Sequence, residues 1–318
     1  MKIAFWGLGS IAKQHIVNLS EVLKDRGTDF QIDVIRHCDK PVADDRIRRL
    51  VTDVYTEQQA ENKKYDIIFI TNPTAMHYKT IQRCVGLAEH MFIEKPVFDR
   101  CGVNVEGLSL KKSSVYYVAC PLRYTAVLQY VRQNIDLGSV YSARAISSSY
   151  LPAWRPGTDY RDTYSAKRAL GGGVAIDLIH EWDYLVSLFG LPQQVLYAGG
   201  RYSSLEIDSD DLAAYIGIYK DKLVEVHLDY FGREAIRELI LFTAEDTVVA
   251  DLVNSRVCFR HQGTVVDLPE ERTVYQKREL AHFLDIIEGK CENDNSIAHA
   301  LEVLKIAEIG NQQGNTIY

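Results

Sequence analysis

The sequence predicts an α/β protein in which an N-terminal doubly wound parallel sheet is followed by an α+β domain with an open, mainly antiparallel sheet. Strand and helix patterns alternate in the first third, a glycine-rich turn joins the first strand to the first helix, and closely spaced strand patterns fill residues 194–268. Alternation implies right-handed crossovers and a parallel sheet, whereas consecutive strands with short connections imply an antiparallel one. We expect two domains, 1–120 and 121–318.

The elements of the first domain follow from short apolar runs and from apolar residues at helical spacing. Runs of β-branched and aromatic residues predict strands, and apolar residues recurring every three or four positions predict helices. The expected strands are 2–6, 31–35, 65–70 and 90–94, and the expected helices are 11–23 and 77–86. Residues 47–62 are expected to be helical or irregular.

The pattern of predicted elements changes after about residue 120. Short strand patterns follow one another with polar turns between them, such as residues 220–222 and 261–263. The expected strands are 140–149, 194–202, 212–219, 223–230, 238–243, 247–252, 256–260 and 264–268. Helical spacing returns over 275–288 and 296–309, so this domain is expected to combine an antiparallel sheet with helices.

Composition and charge limit the function classes. A net charge of −7 argues against nonspecific nucleic-acid binding, which needs a basic surface. The sequence contains no run of 18 apolar residues, so we expect no membrane span. The first residues lack the pattern of a signal peptide. The six cysteines are scattered without a CxxC pair, which favours free thiols in a reducing compartment and no metal site. We therefore expect a cytoplasmic protein without nucleic-acid or membrane partners.

A glycine-rich turn follows the first strand and opens the first helix. Gly7, Gly9 and Ala12 have the spacing G-x-G-x-x-A. In this context the first glycine permits a tight turn, the second lets backbone approach a pyrophosphate, and the alanine allows close packing of helix on sheet. Ser10 and Ile11 lie at the helix N-terminus, where backbone N–H groups can bind phosphates. The motif predicts a dinucleotide-binding Rossmann domain.

The end of the second strand bears on the choice of nicotinamide cofactor. An acidic residue there would bind the ribose hydroxyls of NAD, but the sequence has Arg36 and His37. Arginine can bind a 2′-phosphate and stack on adenine, which favours NADP over NAD. Asp33 lies earlier in the strand and Asp39 later, so a different register would restore the NAD alternative.

Four separated motifs resemble those of the Gfo/Idh/MocA family, which includes glucose-fructose oxidoreductases and inositol dehydrogenases. They are Thr71–His77, Phe92–Pro96, Pro121–Tyr124, and Gly171–Gly173 with Asp177 and His180. The resemblance covers most of the chain. It implies a nicotinamide-dependent oxidoreductase acting on a sugar, polyol or sugar nucleotide, and assembly as a homo-dimer or homo-tetramer.

The resemblance also implies roles for particular residues. Lys95 would contact both cofactor and substrate. The cofactor would further be lined by Thr71, Asn72, Pro73, His77 and Glu94. Arg123 and Tyr124 resemble an Asn-Arg-Phe segment near the active cleft and are expected to bind substrate. Residues 150–173 resemble a branch of the family associated with bacterial surface polysaccharides or nonulosonates.

Three side chains carry the expected chemistry. Lys95 ends a parallel strand, where its ammonium can stabilise a developing alkoxide. His180 suits a general acid or base because the unperturbed pKa of histidine lies near neutrality, and Asp177 can orient its ring or bind a substrate hydroxyl. On one helix, residues 177, 180 and 181 would share a face. The family pattern has Asp and His four residues apart rather than three, which leaves Glu181 as an alternative proton carrier.

The loop before the glycines is rich in groups that bind sugars and phosphates. Trp154 can pack on a sugar face, and Tyr160 can hydrogen-bond its hydroxyls. Arg155 and Arg161 present guanidinium forks that suit phosphate or carboxylate groups. The composition favours a nucleotide-linked or acidic sugar, although a polar surface loop would have the same composition.

Three functions are compatible with these features. The first is an NAD(P)-dependent dehydrogenase of a sugar, polyol or sugar nucleotide. The second is an enzyme whose tightly bound cofactor cycles between its oxidised and reduced forms, so that the net reaction is isomerisation or elimination. The third is a noncatalytic nucleotide-binding regulator, which the presence of Lys95, Asp177 and His180 together disfavours.

Overall fold

The computed structural model describes residues 1–38, 40 and 42–309, and the chain forms two compact units. The first unit consists of Met1–Ala119 and Arg272–Leu301, and the second of Cys120–Glu271 with the described residues from Glu302 onward. Within the described ranges, none of the helices is both long enough and apolar enough to cross a membrane.

Six parallel strands form the sheet of the first unit. They are β1 (Lys2–Trp6), β2 (Gln31–Arg36), β3 (Asp53–Thr56), β4 (Tyr65–Ile70), β5 (Ala88–Ile93) and β6 (Tyr116–Val118). Their order is β3-β2-β1-β4-β5-β6, in which the direction of the strand order reverses at β1. Trp6 lies beside Ile35 and Ile70, and Ile70 beside Ile93, so these strands end at one edge. The predicted parallel Rossmann sheet is confirmed.

The expectation for residues 47–62 is partly wrong, because residues 53–56 form strand β3. This strand lies at the edge of the sheet and pairs only with β2 among the described strands. It is short, and its four side chains are half-buried or exposed. Its sequence therefore lacks the apolar run that marks a buried strand, and pairing with β2 fixes its conformation.

Nine α-helices are described. They are α1 (Ser10–Asp25), α2 (Asp45–Arg48), α3 (Glu57–Ala60), α4 (His77–Cys84), α5 (Ala126–Asn134), α6 (Val174–Asp177), α7 (His180–Phe189), α8 (Arg272–Ile287) and α9 (Ile297–Ala307). Helix α8 packs on α1, where Asn18 donates a hydrogen bond of 3.1 Å to Gln276 and Arg26 pairs with Asp285. Residues 272–301 thus belong to the first unit, although the predicted boundary at 120 places them in the second domain. The division into a dinucleotide-binding and a substrate-binding domain stays a prediction.

Eight strands form the sheet of the second unit. They are β7 (Val140–Ser148), β8 (Gln194–Gly200), β9 (Leu212–Ile218), β10 (Leu223–Asp229), β11 (Ile236–Thr243), β12 (Thr247–Asp251), β13 (Arg256–Phe259) and β14 (Thr264–Asp267). Their order is β14-β13-β12-β11-β7-β10-β9-β8, antiparallel except where β7 pairs with β10. The ring of Trp182 on α7 packs edge-on against Tyr215 of β9 at 5.5 Å. The predicted antiparallel sheet is confirmed.

Candidate functional site

Gly7 lies where the turn after β1 contacts the turn after β4. Its φ is +104°, and a Cβ there would lie 2.8 Å from the backbone nitrogen of Asn72. The hydroxyl of Thr71 donates to the carbonyl oxygens of Trp6 and Gly7 at 3.2 and 3.1 Å. Glycine is required here because the two turns touch through their backbones.

The N-terminus of α1 is open to a ligand. Gly9 is its N-cap, the described residues provide no side-chain cap, and the first turn has no acidic residue. A Cβ built at Gly9 would meet no described heavy atom within 4 Å. The backbone N–H groups that begin a helix need acceptors and favour negative charge. Gly9, Ser10, Ile11 and Ala12 thus fit the predicted pyrophosphate site.

Arg36 is the last residue of β2. The residue is half-buried, and its Nε and one Nη atom are buried without a hydrogen-bond acceptor among the described residues. Leaving buried guanidinium N–H groups unpaired is costly, so the position suits an anion. His37 is exposed next to it.

Asp33 and Asp39 are the two acidic residues near the end of β2 that could bind the ribose hydroxyls of NAD. Asp33 is buried within β2, and its carboxylate accepts a hydrogen bond of 3.1 Å from Tyr65. Burial raises the pKa of the Asp33 carboxyl. Asp33 therefore lies inside the sheet, three residues before its edge. Asp39 lies outside the described residues.

His77 joins two turns at the edge of the sheet. It is fully buried, and its two ring nitrogens lie 3.2 and 3.0 Å from the carbonyl oxygens of Val97 and Asn72. Burial lowers its pKa. Asn72 donates to Thr80 at 2.7 Å, but its side-chain oxygen is buried without a partner in the described chain. His77 thus positions these turns, and the Asn72 oxygen is the group left for a ligand.

The segment after β5 carries Glu94 and Lys95. Glu94 accepts a hydrogen bond of 2.5 Å from Nε2 of His15 on α1. Burial alone would raise the pKa of the Glu94 carboxyl, but the His15 hydrogen bond and the charge of Lys95 hold it below its ordinary value. Lys95 is half-buried, and its peptide bond to Pro96 is cis. The sequence does not predict this contact, because His15 lies 79 residues from Glu94.

In the second unit, Asp177 and His180 belong to two different helices. Asp177 ends α6, Leu178 and Ile179 form a turn, and His180 begins α7. Leu178 has φ −98° and ψ +30°, away from helical values. The expectation that residues 177, 180 and 181 lie on one helix is therefore wrong, because a turn separates Asp177 from His180.

Two tyrosines hold the carboxylate of Asp177. Asp177 is 6% exposed and accepts a hydrogen bond of 2.6 Å from the hydroxyl of Tyr230. The hydroxyl of Tyr164 bonds to the same carboxylate. Burial and the adjacent Asp177 raise the pKa of Tyr230. Partial burial and the charge of Asp177 also raise the pKa of Tyr164, which is more exposed, so both hydroxyls stay protonated as donors. Asp177 is thereby fixed in orientation.

The two acids at the start of α7 form buried ion pairs. Glu181 is 0% exposed and lies 2.8 Å from Nε of Arg237 on β11. Asp183 accepts two hydrogen bonds, of 2.8 and 2.7 Å, from the guanidinium of Arg123. Arg123 is 4% exposed. These pairs fix α7, and a role for Arg123 in substrate binding stays a prediction.

The loop before the glycines makes contacts of its own. The indole N–H of Trp154 donates to Ser149 at 3.0 Å, and Arg155 is exposed above the ring of Tyr164 at 5.6 Å. Arg161 pairs with Asp159 and Glu206, so its guanidinium is occupied by carboxylates. Of the other expected substrate residues, Tyr160 is half-buried and Tyr124 is buried.

Gly172 explains one of the three consecutive glycines. A Cβ there would lie 2.0, 2.7 and 2.9 Å from the carbonyl oxygens of Tyr164, Ser165 and Lys167. The glycine is therefore required by close approach to the loop that carries Tyr164. This close approach lies inside the second unit.

Comparison with known proteins gives a family match in the first unit. Residues 1–108 match the model of the Gfo/Idh/MocA group, described as an oxidoreductase family with an NAD-binding Rossmann fold. The uncharacterised oxidoreductase YrbE of Bacillus subtilis is 26% identical over 200 residues, 61% of this chain and 55% of that protein. The dTDP-3,4-didehydro-2,6-dideoxy-alpha-D-glucose 3-reductase of Streptomyces violaceoruber is 28% identical over 124 residues, 37% of this chain and 34% of that protein. The alignments thus span about half and about a third of these relatives.

A solved structure matches over nearly the whole chain. Levoglucosan dehydrogenase, in complex with NADH and levoglucosan, superposes with a TM-score of 0.83 at 14% identity. The match covers 97% of this chain and 95% of that one. At this identity the likeness shows a shared fold.

Proposed function

We propose that this chain, whose residues 1–108 match the Gfo/Idh/MocA oxidoreductase family, transfers a hydride between a nicotinamide cofactor and a hydroxyl carbon of a sugar, polyol or sugar nucleotide. The observation that carries the proposal is the open N-terminus of α1 at the sheet edge where Arg36 and Lys95 also lie. Uncapped N–H groups and guanidinium nitrogens without an acceptor among the described residues are what a dinucleotide's phosphates require.

The residues of this chain can supply the remaining chemistry. When bound, the nicotinamide accepts or supplies the hydride. The Lys95 ammonium stabilises negative charge on the reacting oxygen. His180 takes or returns the hydroxyl proton, and we favour it over Glu181 because the Glu181 carboxylate is fully buried against Arg237. Asp177, held by two tyrosines, is the carboxylate that orients the ring of His180 or binds a substrate hydroxyl.

We propose a sugar nucleotide as the preferred substrate class. Trp154 and Arg155 support this choice, because an indole ring can pack on a sugar face and an exposed guanidinium can bind a diphosphate. One relative is named as a reductase of a dTDP-linked sugar. Arg161 contributes less than the sequence suggests, since Asp159 and Glu206 already pair with it.

We propose NADP as the preferred cofactor and NAD as the alternative. Two guanidinium nitrogens of Arg36 support the preference, because they have no acceptor among the described residues and a 2′-phosphate would supply one. Asp33 does not compete for this role, since it lies inside the sheet and binds Tyr65. Assembly as a dimer or tetramer and a cytoplasmic location stay predictions.

The experiment that tests the function is a screen for cofactor reduction. The purified protein is incubated with NADP or NAD and a panel of sugar nucleotides, free sugars and polyols, and the absorbance of the reduced nicotinamide is followed. Lys95→Ala and His180→Ala should each lower kcat about 100-fold or more while cofactor binding persists. Lys79→Ala and His261→Ala, which change exposed residues elsewhere, are the matched controls.

The outcomes separate the alternatives. Wild-type turnover by His180→Ala would contradict the assignment of the proton carrier. Turnover of a sugar nucleotide without added cofactor and without net reduction would identify the enzyme with a cycling cofactor. Binding of cofactor and sugar nucleotide without any turnover would identify a regulator.

A further inference from the structure

We propose that His15 is a positioning residue for Lys95 and acts through Glu94. His15 is 2% exposed on α1, and its Nε2 lies 2.5 Å from the Glu94 carboxylate, directly before Lys95 in the chain. The inference rests on the proposed function only for the catalytic meaning of Lys95; the contact itself joins groups of the first unit.

The surroundings of His15 define which nitrogen carries the proton. Its ring lies beside the rings of Phe69 and Phe92, at centroid distances of 5.9 and 5.1 Å. Nδ1 is buried and has no hydrogen-bond partner in the described part of the chain. An ionised carboxylate is an acceptor only, so Nε2 bears the proton and donates to Glu94. The aromatic walls restrict the ring, which in turn restricts the carboxylate.

Glu94 passes this restraint to Lys95 in two ways. Its backbone N–H donates to the carbonyl of Ile70 at 3.0 Å, which fixes the chain on the β4 side. Its carboxylate also attracts the Lys95 ammonium electrostatically, because the charge of Lys95 lowers the pKa of Glu94. The titratable groups acting on this carboxylate are His15 from α1, Lys95 itself and His77 from α4.

Loss of His15 would release the carboxylate. A buried carboxylate without its donor is costly, so Glu94 would turn towards water. This change weakens the negative charge that favours the protonated form of Lys95. A histidine that served packing alone would leave the titration of Lys95 unchanged, which gives the proposal a distinctive readout.

Asn18 provides a matched control on the same helix. It lies nearly one turn after His15, is equally buried, and donates a hydrogen bond to Gln276 on α8. Asn18→Ala therefore removes a buried polar contact of α1 without touching Glu94. His15→Gln is the conservative variant, because the glutamine amide can place a donor near the position of Nε2.

The test measures the titration of Lys95 directly. Lysines are reductively methylated with ¹³C-formaldehyde, and the Lys95 signal is assigned by its loss in Lys95→Arg. His15→Ala should move the Lys95 midpoint down by about one pH unit, His15→Gln should restore most of it, and Asn18→Ala should leave it in place. In the active enzyme, His15→Ala should also lower kcat about 10-fold with a cofactor Kd within about 3-fold of wild type.

An unchanged Lys95 midpoint in His15→Ala would overturn the proposal. Should that variant fail to fold, Glu94→Gln removes the same charge while keeping its shape, and it should produce the same downward shift. A shifted midpoint in a protein that reduces no cofactor would retain the positioning role and refute the oxidoreductase function. Reduction of cofactor by a protein whose Lys95 midpoint does not shift would support the oxidoreductase function and refute the positioning role of His15.

Discussion

Replacing Gly172 with alanine should destabilise the second unit. The added Cβ would lie 2.0, 2.7 and 2.9 Å from three carbonyl oxygens, all of them backbone atoms of residues 164–167. No side chain can rotate away, so the loop itself must move. Overpacking of this kind costs about 1–3 kcal/mol, and three backbone contacts place Gly172→Ala at about 2–3 kcal/mol. For a unit of this size the melting temperature should fall by roughly 4–12 °C.

Thermal unfolding followed by circular dichroism measures this effect. Gly102→Ala is the matched control, because a Cβ there meets no described atom within 4 Å and its φ is not in the left-handed region. It should melt within about 1 °C of the wild type. Activity of Gly172→Ala should fall as well, since the displaced loop carries the tyrosine that holds Asp177. A Gly172→Ala melting temperature equal to that of Gly102→Ala would refute the reasoning.

Two further predictions concern the cofactor and acid stability. Arg36→Ala should weaken NADPH binding about 30-fold or more and NADH binding less than about 3-fold, measured by fluorescence titration; equal losses would remove the basis for the NADP preference. Asp229 accepts hydrogen bonds from the N–H groups of Phe231 and Gly232 and from His227, which hold its pKa low although burial would raise it. A lowered carboxyl pKa stabilises the fold above the unfolded value of about 3.9, and this stabilisation is lost as pH falls through the folded value. Asp229→Asn should therefore lower the melting temperature at about pH 7, with the difference from wild type shrinking towards about pH 3; a pH-independent difference would contradict this.

The sequence predicted the parts of the fold that local patterns encode. The strands β1 and β4 are buried apolar runs, and the turn at Gly7 and Gly9 has a spacing that only a few backbone geometries satisfy. The edge strand β3 and the three-residue strand β6 were not predicted, because pairing with neighbours rather than their own composition fixes them. The turn between α6 and α7 was missed for a similar reason, since helical periodicity continues across it.

The contacts that shape the candidate site were mostly beyond sequence reasoning. His15 and Glu94 lie 79 residues apart, Tyr230 and Asp177 lie 53 apart, and Arg123 and Asp183 lie 60 apart. Each pair is brought together by the fold, and the local spacing of residues in the sequence does not predict it. The sequence identified Lys95, Asp177 and His180 as chemically suitable. It did not identify which groups hold them.

Isotope transfer tests the central claim most directly. The substrate found in the screen is prepared with deuterium on its ring carbons and incubated with oxidised cofactor and enzyme, and the reduced cofactor is analysed by mass spectrometry. Direct hydride transfer predicts deuterium in the reduced nicotinamide of the wild type, formed at least about 100-fold more slowly with Lys95→Ala or His180→Ala. Reduced cofactor without deuterium would contradict the account.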